Sequence, residues 1–134
     1  MKKIMVIDDD PDFVEITRMI LESNGYEVTK AYDRNEAMVV MNQDVPDLIL
    51  LDIMMDQPLD GVEVYKQMQD KPALKNIPII VVSCIIDSPY ADKFPTDEYT
   101  PIDDWISKPV QASVLLNKVE LYLRRYQNLE REIA

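Results

Sequence analysis

Short unbroken apolar runs alternate along this chain with longer stretches in which apolar residues recur every three or four positions. That alternation predicts strands and helices in turn, the pattern of a parallel α/β sheet. Ile4-Met5-Val6-Ile7 reads as the first strand. Asp10 then reads as an N-cap with Pro11 at the first helical position. Phe13, Ile16, Ile20 and Leu21 give the helix an apolar face, and Asn24-Gly25 ends it. Residues 26–31 form a weaker strand. Asp33-x-x-Glu36 is a capping box that opens a helix to about Asn42. Asp47–Asp52 is an apolar strand bounded by acids, followed by a helix over Val62 to Gln69. Pro78–Ser83 has no polar alternation, so both its faces are expected to be covered. Trp105-Ile106-Ser107-Lys108 is a short fifth strand, and a last helix runs from Val110 to about Tyr126 or beyond. Pro89, Pro95 and Pro101 interrupt the span Ile86–Asp104, where a regular fourth helix would stand, so that span is expected to be irregular.

Composition narrows the chemistry. With 134 residues the chain fits one domain. It has no histidine and one cysteine, which excludes imidazole catalysis, a Cys/His metal site and an internal disulfide. The formal charge is −11; residues 110–134 hold four basic groups against three acidic, so residues 1–109 carry −12. Such a surface repels phosphate backbones and anionic lipid and favours cations. Direct nucleic-acid binding is not expected. No apolar run approaches the ~20 residues that span a bilayer. The opening stretch turns acidic too soon for a signal peptide, so a cytoplasmic location is expected.

Open parallel sheets place their sites beyond the carboxyl ends of the strands. Here those ends carry Asp8 and Asp9, Asp52, Ser83, and Lys108 followed by Pro109. Two carboxylates ~4 Å apart repel by about 4 kcal/mol at an effective dielectric of ~20. A hard divalent cation such as Mg2+ resolves that repulsion and suits carboxylates together with a phosphoryl group. Lys108 supplies a second positive charge, and Ser83 a hydroxyl donor. Asp52, at the end of the most apolar strand, is then the candidate nucleophile for phosphoryl transfer.

These stretches resemble the response-regulator receiver domain (CheY-like) of bacterial two-component signalling. The resemblance is carried by Ile4–Pro11, Pro46–Met55, Asp60–Glu63, Ile77–Ser83 and Trp105–Pro109 in the family's order, over residues 1–125. It implies a flavodoxin-like doubly wound five-stranded parallel sheet of order 2-1-3-4-5. It implies Mg2+-dependent phosphorylation of Asp52 by a histidine kinase or phosphotransfer protein, with an unknown downstream protein reading the result. By the same resemblance Asp9 would be a direct metal ligand, Asp8 would act mostly through water, and the Met54 carbonyl would complete the protein ligands. Ser83 and Lys108 would bind phosphoryl oxygens, Trp105 would be the switch aromatic, and the Lys108–Pro109 peptide would be cis. The chain would not be an enzyme beyond its own phosphorylation and slow dephosphorylation.

Departures from the family pattern lie between Asp52 and Gly61, one residue longer than usual because of Asp56-Gln57-Pro58-Leu59, at Cys84 after the hydroxyl, and at Ile102-Asp103-Asp104 in place of a Gly-Ala pair. Asp60, Asp103 and Asp104 read as solvated surface, and Cys84 as a small buried hydrophobe. Met54 and Ile85 are apolar where the family tunes self-dephosphorylation, which implies a long-lived phosphorylated state. Residues 1–126 are expected to form the receiver domain, with 127–134 a charged extension of the last helix or a tail. No coiled coil is read from it, and a homodimer stays open. Two rival functions remain: a small phosphohydrolase resembling the haloacid dehalogenases, and a scaffold that binds partners without phosphorylation.

Overall fold

The computed structural model describes residues 1–52, 66–68, 70–72, 74, 76–83 and 102–133. Five strands form one sheet in the order β2-β1-β3-β4-β5, all parallel. They are β1 (Lys3–Ile7), β2 (Glu27–Ala31), β3 (Leu48–Leu51), β4 (Ile79–Ser83) and β5 (Ile102–Ser107). The helices are α1 (Pro11–Glu22), α2 (Arg34–Gln43) and the last helix α3 (Ala112–Ile133). Residues 66–68 are helical, inside the span expected over Val62–Gln69.

The apolar runs of β1, β3 and β4 are buried because alternate side chains enter two separate cores. Met5, Ile7, Ile49, Leu51, Ile79 and Val81 face Ala37 and Met41 of α2, together with Met68 and Leu74. Ile4, Val6, Leu48, Leu50, Ile80 and Val82 face Val14 and Leu21 of α1 and Leu115, Val119 and Tyr122 of α3. Strands covered on both sides need no polar alternation, which is why these runs read as continuous.

The helix starts follow the sequence. The Asp10 carboxylate accepts from the Asp12 and Phe13 amides at 3.0 and 3.4 Å, and Pro11 opens α1. Asp33 accepts from the Glu36 amide at 2.7 Å. Gly25 takes φ +88°, the left-handed conformation that lets the chain turn from α1 into β2.

Three expectations are corrected. Along α1 the buried line is Val14, Thr17 and Leu21, and Ile16 is 60% exposed. The helical period turns Ile16 away from the sheet, onto the rim of a groove. The fifth strand begins at Ile102, three residues earlier than expected. There the register between β4 and β5 shifts, with Ile79 opposite Ile102 but Ile80 opposite Asp104. The extra residue of this irregularity puts Asp104 and Ile106 on the α3 side and Trp105 on the other. Asp104 is therefore not solvated surface. It accepts hydrogen bonds from Lys118, from Tyr122 at 3.0 Å and from the Trp105 amide at 2.8 Å.

Candidate functional site

The order β2-β1-β3 makes β1 the point where successive connections leave in opposite directions, and a crevice opens there beyond the strand ends. Ile7 pairs with Leu51, so the residues that follow, Asp8 and Asp52, leave the sheet side by side. Backbone bonds hold them there: the Asp52 amide donates to the Ile7 carbonyl at 2.9 Å and the Asp8 amide to the Ala31 carbonyl at 3.1 Å.

The side chains converge as the strand ends suggest. Carboxylate oxygens of Asp8, Asp9 and Asp52 lie within 4.8 Å of one another. Asp8 is 1% exposed and Asp52 5%, whereas Asp9 is open to solvent. The Asp10 amide donates to Asp8 Oδ1 at 2.9 Å. Lys108, from the loop after β5, reaches across the crevice. Its Nζ lies 2.8 Å from Asp8 Oδ2 and 3.5 Å from Asp52 Oδ2. Burial alone would push the Lys108 pKa down; the hydrogen bond to Asp8 and the charge of Asp52 outweigh it and hold the pKa above the ordinary lysine value. The Lys108–Pro109 peptide is cis, as expected.

This donor set fits a hard divalent ion. Three carboxylates offer oxygen ligands only, and the exposed one leaves room for water in the coordination sphere, which suits Mg2+. The ammonium between Asp8 and Asp52 offsets part of their charge.

The remaining expected site residues stand as follows. Ser83 ends β4, next to β3; its side chain is outside the described residues. So are Met54, Asp60, Cys84 and Ile85. Trp105 is half-buried and packs on the α2-side core. The sequence reading missed one neighbour of the site. The Phe13 ring centroid lies 4.3 Å from Lys108 Nζ. Phe13 had read only as part of an apolar helix face, though its place three residues past the Asp10 cap puts it in the turn nearest Asp8 and Asp9. Among the described residues no helix is long and apolar enough to cross a membrane.

Residues 4–120 match the family model described as "Response regulator receiver domain". Solved structures agree in fold. A CheY-like response regulator receiver domain protein from Methanospirillum hungatei JF-1 superposes with a TM-score of 0.82 at 27% identity, covering 96% of this chain and 98% of that one. Chemotaxis protein CheY4 from Vibrio cholerae gives 0.78 at 25% identity, over 90% and 97%. The N-terminal domain of a response regulator receiver protein from Methanoculleus marisnigri JR1 gives 0.69 at 32% identity, over 90% and 94%.

Proposed function

Because the chain belongs to the response regulator receiver domain family, we propose that it is a phospho-accepting switch whose acceptor is Asp52. The observation that carries this reading is the meeting of Asp8, Asp9 and Asp52 within 4.8 Å beneath one lysine. A buried carboxylate beside an ammonium and two further acids is equipped to attack phosphorus. The donor is a phosphohistidine on a histidine kinase or phosphotransfer protein. A carboxylate oxygen of Asp52 forms the new O–P bond as the donor's N–P bond breaks, and the electron pair leaves with the imidazole.

Each neighbour has a task. Lys108, 3.5 Å from Asp52, lies where it can meet a transferred oxygen with its ammonium. Ser83 donates to another oxygen. Mg2+ would be held by Asp9 and Asp52, with Asp8 acting mostly through water, and by the family resemblance the Met54 carbonyl would complete the protein ligands. When bound, Mg2+ screens the negative charge of the incoming phosphoryl group. Phosphorylation adds nearly two negative charges at the crevice. Lys108 and Ser83 move toward that charge, and Trp105 shifts with β5, so a downstream protein or a second copy of the chain meets a different surface. A few kcal/mol of differential binding between two conformers suffices for such a switch. The switching unit is residues 1–126, with 127–134 as an extension of α3.

Nothing favours the phosphohydrolase reading. It needs Asp103 and Asp104 as a later acid pair, and Asp104 is committed to Lys118 and Tyr122 on α3. Incubation with a small acyl-phosphate donor and Mg2+ tests the proposal. Intact-mass analysis is expected to show one phosphoryl group per chain, absent in Asp52→Asn. Continuous phosphate release that depends on Asp8 would support the phosphohydrolase, and no label with no release would support the scaffold; either overturns the proposal.

A further inference from the structure

Phe13 sits at the third position of α1, and its amide donates to the capping Asp10 carboxylate at 3.4 Å. Side chains on a helix lean toward its N-terminus, which here is the end facing the acid pocket. The ring packs partly into the core beneath α1 and α3. With Ile16, Ile20, Pro109, Leu115 and Lys108 it lines a groove of about 250 Å³. The Lys108 ammonium therefore has carboxylates on one side, at 2.8 and 3.5 Å, and an aromatic ring on another, at 4.3 Å from its centroid.

A lysine stem is flexible, and its ammonium is strongly hydrated. An aliphatic wall would pack against the stem and leave the charged end free to turn toward water. An aromatic face attracts the charge itself, and does so more strongly where water is kept away. We propose that Phe13 is a positioning residue that holds the Lys108 ammonium over Asp52 through a cation–π contact and thereby sets the rate at which Asp52 is phosphorylated. Phe13 touches none of the reacting atoms. The role rests on the phospho-acceptor reading above.

The test compares the full chain with Phe13→Leu, Phe13→Tyr and Ile16→Ala, with a small acyl-phosphate donor and Mg2+. Phe13→Leu keeps an apolar side chain but loses the ring face. It is expected to slow phosphorylation roughly threefold to tenfold, the range a single cation–π contact commands. Phe13→Tyr restores the face and is expected to restore the rate. Ile16→Ala alters the same groove without touching the ammonium and is expected to match wild type. Urea unfolding of Phe13→Leu, Lys108→Met and the double variant measures the contact without any phosphorylation; the Phe13→Leu loss is expected to shrink once Lys108 is gone. Phosphorylation of Phe13→Leu at the wild-type rate, or of Phe13→Tyr as slowly as Phe13→Leu, overturns the positioning role. A wild-type chain that takes no phosphoryl group overturns the phospho-acceptor reading and this role with it, and the coupling in the unfolding cycle then shows whether the contact itself exists.

Discussion

Replacing Lys108 by methionine keeps the apolar stem and removes only the charge. In the folded protein that charge lies 2.8 Å from one oxygen of Asp8 and 3.5 Å from one of Asp52. At an effective dielectric of ~20, the two contacts carry about 6 and about 5 kcal/mol of Coulomb attraction before desolvation is counted. Most of this is offset, because all three groups leave water on folding, and the Lys108 side chain keeps 21% exposure. Breaking a buried ion pair by removing one partner typically costs ~3–5 kcal/mol. Since the pocket is open on the Asp9 side, the expected loss in Lys108→Met is at the lower end, about 3 kcal/mol. Urea unfolding at neutral pH without divalent cations measures it. A second measurement repeats the melts with Mg2+. Ligand that binds only the folded state at ~100 times its Kd adds about 2.7 kcal/mol. The variant's pocket lacks the competing ammonium, so its gain from Mg2+ is expected to exceed that of wild type at the same concentration. A variant within about 0.5 kcal/mol of wild type in metal-free buffer, the usual range for surface changes, refutes the electrostatic account of the pocket. A gain from Mg2+ no larger than wild type refutes the idea that ion and ammonium answer the same negative charge.

Two further outcomes follow from the clasp on β5 and from the residue types two positions past Asp52 and Ser83. Asp104→Ala removes a carboxylate that is 26% exposed and accepts from Lys118 and Tyr122, and it is expected to cost about 2 kcal/mol in urea unfolding. Burial alone would raise the Asp104 pKa, but the hydrogen bonds from Lys118, the Trp105 amide and Tyr122 hold it below the ordinary value. Its contribution is therefore fully present above the unfolded carboxylate pKa of ~3.9 and fades as pH falls through the lower folded value. The gap between wild type and Asp104→Ala should shrink on acidification below that range, and a gap that stays constant would remove the clasp from the account. Apolar Met54 and Ile85 cannot orient an attacking water, so a phosphoryl group on Asp52 should survive well beyond a minute at neutral pH. Loss of label within seconds to a minute by timed intact-mass measurement contradicts that expectation.

Element type and order were legible in the residues because the signals are local. Apolar runs, a capping aspartate with proline after it and a glycine at positive φ each act within a few positions. The placement of Asp8, Asp52 and Lys108 at strand ends was legible for the same reason, once a parallel sheet was inferred. Three features depended on neighbours distant along the chain. The fate of Asp104 was set by Lys118 and Tyr122, fourteen and eighteen residues on, through a register shift that no local pattern encodes. The direction of Ile16 was set by where the sheet meets α1, which selected Val14, Thr17 and Leu21 from a broader apolar face. The pairing of Lys108 with Asp8 spans one hundred positions, and the ring of Phe13 joins it only because the α1 entry and the β5 exit share one crevice. The amino-acid sequence by itself determined which segments become strands and helices and which ionisable groups stand at their ends. Tertiary structure alone decided which of those groups face one another, because a charge's partner is set by distance in space, and that distance exists only after the sheet has brought remote segments together.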